Sequence, residues 1–305
     1  AVAVYGGAPK GPQMHALRRG CELIIGTPGR IKDVLMKAED GGEAAVTSVA
    51  RLSMLVLDEA DRMLDMGFER DIRKIVWQAF GERAHQTFLY SATWPLEVQG
   101  IARDLQTDAV KVTVGSGGEK LTANASVTQR VHVVDAMKRW DKFVQLIAPF
   151  RKGGADAGKR VIVFANRKDT VSSLAKYCKD EGLACEAMSG DRTQSQREST
   201  IKRFRAGQVT VVIATDVAAR GLDIQGIERV INYELPGDDF QDYVHRIGRT
   251  GRAGATGEAD SLFTVGDKAH APQLIRIMTE AGQVVPPELA KFSSQSTQFA
   301  DSDDD

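Results

Sequence analysis

Val161-Ile162-Val163-Phe164 is a run of four apolar side chains without polar alternation, and Val211-Val212-Ile213-Ala214 repeats the form further along the chain. A strand wetted on one face alternates apolar with polar residues. A parallel strand covered by helices on both faces has no such need, so it reads as a continuous apolar run. Similar short runs recur along the 305 residues, each followed by an amphipathic stretch. That order predicts an α/β fold with mostly parallel sheets and crossover helices.

The pattern predicts second-half strands at Val127–Val134, Arg160–Phe164, Ala184–Met188, Thr210–Ala214, Arg229–Tyr233 and Gly257–Thr264, with helices near Arg167–Asp180, Gln194–Arg205, Asp239–Arg246 and Asp267–Ala281. In the first half it predicts strands at Val2–Tyr5, Glu22–Ile25, Ser53–Leu57, Thr87–Tyr90 and Ala109–Val114. The helices expected there lie near Pro12–Arg19, Arg30–Met36, Phe68–Ala79 and Pro95–Leu105. Gly115–Gly118 and then Glu119–Ser126 are rich in Gly, Ser, Thr and Asn and lack an apolar period, which reads as a linker. The expected organisation is a domain over 1–118, a linker over 119–126, a second domain over 127–290 and a disordered acidic tail over 291–305.

Lys and Arg number 40 against 41 Asp and Glu, a net charge of −1, so any nucleic-acid site has to be a local patch. No apolar run of about 18 residues occurs, which excludes a helical membrane span. Three cysteines with no C-x-x-C pair support neither a disulfide framework nor a structural zinc site. A reducing intracellular compartment is expected, with nucleus and cytoplasm not distinguished. The chain opens on Ala1 without the pattern of a secretory signal.

Leu55-Val56-Leu57 runs into Asp58-Glu59-Ala60-Asp61, placing three carboxylates at the C-terminal end of a strand, the edge where open α/β sheets gather ligands. A hard cation such as Mg²⁺ takes oxygen ligands beside substrate phosphates, and a second carboxylate can orient a water for in-line attack. The spacing suits nucleotide hydrolysis; a solvated helix start is the other reading of the same four residues.

The wider context favours the first. Asp58-Glu59-Ala60-Asp61 behind an apolar strand, Ser91-Ala92-Thr93 at the end of the next, and His245-Arg246-Ile247-Gly248-Arg249-Thr250-Gly251-Arg252 in the second half together resemble a DEAD-box RNA helicase. The resemblance extends through Gly6-Gly7, Thr27-Pro28-Gly29-Arg30, Phe164, Gln194–Arg197 and Thr215–Asp223, in that family's order. It implies two RecA-like domains joined by a short linker, ATP and Mg²⁺ held in the cleft between them, and one RNA strand across both. By position it implies Asp58 as the magnesium-ligating carboxylate, through water, and Glu59 as the residue activating the attacking water. Asp61, Ser91, Thr93 and His245 would form an interdomain hydrogen-bond set, expected only when the domains close.

Arg249 and Arg252 lie three apart, so a helix or tight turn projects them to one side, and guanidinium suits the oxyanions of a transferring phosphoryl group. The resemblance makes both of them arginine fingers that also bind the nucleotide, with Gly221 and Asp223 at its ribose. It places Gly6, Gly7, Thr27, Gly29 and Arg30, together with Arg197, Thr215 and Asp216, along the RNA. Hydroxyls, glycines and arginines suit backbone contacts without base reading. The aromatics form no stacking platform: Phe164 is expected beneath the arginine block, and Trp77 and Trp140 in the core.

No Gly-rich loop ending in G-K-Ser/Thr follows a strand upstream of residue 58, and Gly153–Lys159 is excluded because Arg160 stands where Ser or Thr is required. The chain thus resembles a family member whose first domain is incomplete, with the phosphate loop expected before Ala1. An ATPase-deficient RNA-binding or partner-docking fragment is the alternative function. A dinucleotide-binding oxidoreductase is not supported, for want of G-x-G-x-x-G after a strand. No protein partner is indicated.

Overall fold

The computed structural model describes residues 1–35, 47–113, 123–216, 226–237, 240–252 and 254–293. The chain divides into two compact units, Ala1–Lys120 and Leu121–Asp305.

The first unit begins with β1 (Val2–Val4), α1 (Lys10–Arg18), β2 (Ile24–Gly26) and α2 (Pro28–Leu35). It continues with β3 (Met54–Leu57), α3 (Ala60–Asp65), α4 (Glu69–Phe80), β4 (Gln86–Leu89) and α5 (Leu96–Leu105). Its strands form two parallel pairs, β1 with β2 and β3 with β4. Gly26 is obligatory in the first pair, because a Cβ there would stand 2.2 Å from the Val4 carbonyl oxygen. Helices cover one face of these strands: Leu57 packs with Ile72, Val76, Phe80 and Ile101. The opposite face leaves Ile25, Met54, Val56, Phe88 and Tyr90 exposed.

The second unit is built from β5 (Val127–Val133), α6 (Arg139–Ile147), β6 (Val161–Phe164), α7 (Lys168–Asp180), β7 (Cys185–Met188), α8 (Gln194–Arg205) and β8 (Val211–Ala214). Then follow β9 (Arg229–Asn232), α9 (Gln241–Ile247), β10 (Gly257–Phe263), α10 (Ala271–Glu280) and α11 (Pro287–Ala290). One six-stranded parallel sheet runs in the order β5-β10-β9-β6-β8-β7. Alternate residues of the fold-deciding runs enter opposite cores. Ile162, Phe164, Val212 and Ala214 pack with Phe204, Ile247 and Leu274, while Val161, Val163, Val211 and Ile213 pack with Phe143, Ile147 and Leu174. Each fully buried side chain of this size contributes about 1.5–3 kcal/mol relative to exposure.

Several expectations are corrected. Residues 109–113 form no strand, and Val110 and Val112 are exposed, because no neighbouring strand takes up their backbone groups; Val114 lies outside the described residues. Ala123 is buried in the second unit's core, and Asn124 donates to the Gly251 carbonyl at 2.9 Å, so 123–126 belong to that unit and are not free linker. Phe292, assigned to the tail, packs against Phe263 with ring centroids 5.2 Å apart. Trp77 is 70% exposed, not core. Trp140 stands half out, its ring against Phe143 and Tyr177. Helices α3 and α6 were not predicted. Among the described residues no helix is long and apolar enough to cross a membrane.

On the β5 side of the sheet, Asp260 is fully buried and accepts from His132 Nε2 at 2.8 Å, Arg229 Nε at 2.7 Å and Arg130 Nε at 3.2 Å. Burial alone would push its carboxyl up, but the His132 hydrogen bond and the Arg229 and Arg130 charges outweigh that and hold it below the usual carboxylate range.

Candidate functional site

β3 delivers Asp58 and Glu59 to the C-terminal end of its strand pair, where both are exposed. The pairing continues one step past the strands: Tyr90 N–H donates to the Leu57 carbonyl at 2.8 Å, and Ala60 N–H donates to the Tyr90 carbonyl at 3.0 Å. The chain is thereby forced to turn at once into α3. Glu59 takes the turn with φ 51° and ψ 51°, the left-handed region that a residue with a Cβ enters only at a cost of order 1 kcal/mol. The Asp58 carboxylate accepts the Glu59 N–H at 3.0 Å and steadies the turn.

Asp61 does something different from its two neighbours. It is 1% exposed, and its Oδ2 accepts from Thr93 N–H at 3.0 Å and from the Thr93 hydroxyl at 2.7 Å, while its own N–H donates to Ser91 Oγ at 3.3 Å. Only two carboxylates of the four-residue motif are therefore open to a ligand. The third ties the end of β4 to the start of α3. Asp61, Ser91 and Thr93 are joined within the first unit, which corrects the expectation that their network forms only on domain closure. Asp58, Glu59, Ser91 and Thr93 line a cleft of about 900 Å³, with Trp94 and Lys111 also on its wall. The Lys111 ammonium sits 5.0 Å from the Trp94 ring centre. Among the described residues no cluster of three His, Cys, Asp or Glu side chains is placed to hold a metal ion by itself.

In the second unit the arginine block begins in α9 and leaves it at Ile247, so Arg249 and Arg252 lie on the turn that follows and not on the helix. Arg249 N–H donates to the Arg246 carbonyl at 3.1 Å, and Arg252 Nε donates to the Gly248 carbonyl at 2.8 Å. Gly251 has φ 67° and packs where a Cβ would meet Val127 at 2.7 Å, so no other residue fits. His245 is half-buried on α9, its Nδ1 3.9 Å from the Asp242 carboxylate.

Arg246 was given no role by the sequence and is the centre of this site. It is 1% exposed and donates from Nε and Nη2 to the two oxygens of Asp216, each at 2.6 Å. It also donates to the Glu234 carbonyl at 2.6 Å and to Asn166 Oδ1 at 2.7 Å, with Phe164 beneath it at 5.3 Å. Phe164 lies where the sequence placed it. Asp216, expected on the RNA, has both carboxylate oxygens engaged by Arg246 and ties the block to the end of β8. The signal was present as an Arg flanked by the apolar pattern of α9, but its partners come from three distant strand ends.

The remaining residues expected along the RNA form two groups. Thr27 N–H donates to the Val4 carbonyl at 3.2 Å, which brings Thr27 and Gly29 beside the Gly6-Gly7 loop. Gln13, which sequence reasoning missed, holds that loop: its amide accepts Tyr5 N–H at 3.1 Å and donates to the Tyr5 carbonyl at 3.2 Å. Arg30 donates to Gln13 Oε1 at 2.8 Å, so its guanidinium braces the loop. In the second unit Thr215 N–H donates to the Met188 carbonyl at 3.1 Å, and Arg197, in the first turn of α8, donates to the Gly190 carbonyl at 3.2 Å. Gly221 and Asp223 lie outside the described residues.

A family model described as DEAD/DEAH box helicase matches residues 1–101, and one described as helicase conserved C-terminal domain matches residues 119–254. The chain belongs to the DEAD-box helicase family. It is 47% identical over 295 residues to the ATP-dependent RNA helicase DBP2 of Candida albicans, covering 97% of this chain and 50% of that protein. It is 46% identical over 291 residues to the protein of the same name from Candida glabrata, covering 95% of this chain and 51% of that protein. The chain spans about half the length of the curated relatives it matches. Among solved structures, Mss116p bound to single-stranded RNA and AMP-PNP matches with a TM-score of 0.73 and 26% identity, covering 96% of this chain and 60% of that one. S. cerevisiae Dbp5 bound to RNA and ADP BeF3 matches with a TM-score of 0.73 and 25% identity, covering 96% and 73%. These neighbours are two-domain DEAD-box proteins, and this chain shares their α/β architecture of mostly parallel sheets.

Proposed function

We propose that this DEAD-box chain carries the hydrolytic and RNA-holding parts of an ATP-dependent RNA helicase. The observation that carries the reading is the acidic turn: two exposed carboxylates on a left-handed bend, fixed from below by Asp61, Ser91 and Thr93, open onto a cleft of about 900 Å³. Glu59 would orient a water for attack on the terminal phosphate, and Asp58 would hold Mg²⁺ through water. A lone exposed carboxylate suits that ion, which binds by one or two carboxylates plus substrate phosphates and would supply charge neutralisation at the phosphoryl oxygens.

Arg249 and Arg252 would supply guanidinium groups for the charge on the transferring phosphoryl group, with Gly221 and Asp223 at the ribose. Arg246 and Asp216 act as positioning residues for that turn. Asp61, Ser91, Thr93 and His245 would couple hydrolysis to movement of the two units. Gly6, Gly7, Thr27, Gly29, Arg197 and Thr215 offer hydroxyls, backbone N–H groups and a cation to RNA phosphates and sugars, with no base-reading set. Three free cysteines suit a reducing intracellular compartment.

The test is RNA-stimulated ATP hydrolysis by the polypeptide that carries this chain, measured in single turnover. Glu59→Gln keeps the shape of the side chain and removes the carboxylate; hydrolysis should slow by about 10²–10⁴-fold while nucleotide and RNA stay bound. A parental rate in that variant overturns the role given to Glu59.

A further inference from the structure

The indole of Trp77 is 70% exposed on α4. Buried positions Ile72, Ile75, Val76, Ala79 and Phe80 turn one side of this helix to the core. At 100° per residue, Arg70, Lys74 and Trp77 fall within a wedge of about 60° on the side opposite, stacked along about 10 Å of helix axis. All three are exposed, and neither Arg70 nor Lys74 has a hydrogen-bond or ion-pair partner among the described residues. Nearby acids do not cancel them: Arg73 binds Glu69 at 3.0 Å and Asp104 at 2.6 Å, and Lys32 binds Asp71 at 2.6 Å. Two uncancelled cations therefore flank an aromatic face presented to solvent.

The position of α4 gives this stripe a direction. The Lys32–Asp71 bond clamps the first turn of α4 to α2, whose N-terminus carries Thr27 and Gly29. Lys32 follows Gly29 by about one turn of α2, so the first turn of α4 is close to the Thr27–Gly29 end, and Arg70, Lys74 and Trp77 lie in order along α4 from that turn. Phosphates suit the cations and a base suits the indole, since every base has a face to stack and contact of this kind needs no sequence. A peptide would need an apolar pocket for an anchoring side chain. The neighbours of Trp77 on its outward side are Arg70, Arg73, Lys74 and Gln78, which form none.

We infer that the Arg70–Lys74–Trp77 face of α4 is a second contact for single-stranded RNA, extending the track at the ends of β1 and β2. It rests on the RNA reading of that track. The experiment is fluorescence anisotropy on the full chain with two labelled oligouridines, of about 6 and about 20 nucleotides, so that only the longer reaches past a site of typical size. Trp77→Ala should weaken the longer RNA by about 5- to 100-fold and leave the shorter unchanged, and Trp77→Phe should restore most of the loss. Arg70→Ala with Lys74→Ala should reduce the salt slope of log K for the longer RNA by about 1.4, at about 0.7 per phosphate. Equal affinity of all variants for the longer RNA overturns this contact and leaves the track standing. Failure of the parent chain to bind either RNA overturns the track and this contact together. Loss of an acidic peptide, with RNA binding intact, assigns the face to a protein partner and overturns the inference.

Discussion

The two units place carboxylates at the same end of the same kind of strand and use them in opposite ways. In the first unit Asp58 and Glu59 end a pair of strands whose outer face exposes Met54 and Val56, and both remain open to water. In the second, Asp216 follows a strand buried on both faces and is clamped by a guanidinium that is 1% exposed. The difference is one of layers. A strand covered twice can sink a charged pair beneath its edge, because surrounding strand ends supply the remaining hydrogen bonds, here from Glu234 and Asn166. A strand covered once keeps its edge in water, where carboxylates stay available for a substrate.

The largest expected difference between the two units comes from deleting the buried cation. Arg246→Ala strands Asp216 and two further acceptors, the Glu234 carbonyl and Asn166 Oδ1, and should destabilise the second unit by about 3–5 kcal/mol in urea unfolding. Glu59→Gln, with the same loss of one charge at an exposed position, should stay within about 0.5 kcal/mol. Similar costs for the two would mean that the acidic turn is buried in solution.

Next in size is a pair of aliphatic truncations. Ile213→Ala, at a position with 0% exposure, should cost about 2–5 kcal/mol, whereas Ile25→Ala, at 57% exposure, should cost about 0.5 kcal/mol or less. If Ile25→Ala costs as much as Ile213→Ala, the outer face of the first unit is covered in solution and the contrast in layers disappears.

The smallest effect is in pH. Asp260 has its carboxyl held below the usual range in the folded chain, so its contribution is fully present above the ordinary carboxylate pKa of about 4 and is lost as the pH falls through its lower folded value. The second unit should therefore lose stability between about pH 4 and lower values, and Asp260→Asn should flatten that part of the curve, read by thermal unfolding at a series of pH values.

Strand runs such as Val161–Phe164 were legible because a period is local: burial on both faces leaves no position where a polar residue is preferred, and the bounds of β6, β8 and α8 follow within a residue. The acidic tetrapeptide and the arginine block were legible for a related reason, since their chemistry is written in adjacent residues. What failed was whatever depends on neighbours far along the chain. Trp77 sits in an amphipathic helix, yet the sequence does not say how wide the buried face is; the packing of α4 settles that. Val110 and Val112 have the pattern of a strand and no strand to pair with.

The sequence by itself determined the parallel α/β class, the family and the residues able to do phosphoryl chemistry, because periodicity and motif order survive in one dimension. Only the tertiary structure decided which of those residues face a ligand. Asp58, Glu59 and Asp61 are equivalent as letters, and so are Arg246 and Arg249. Folding carries Thr93 to Asp61 and Asp216 to Arg246 across 32 and 30 positions. A carboxylate whose lone pairs are already met by such partners holds the site together, while one left in water can work on a substrate.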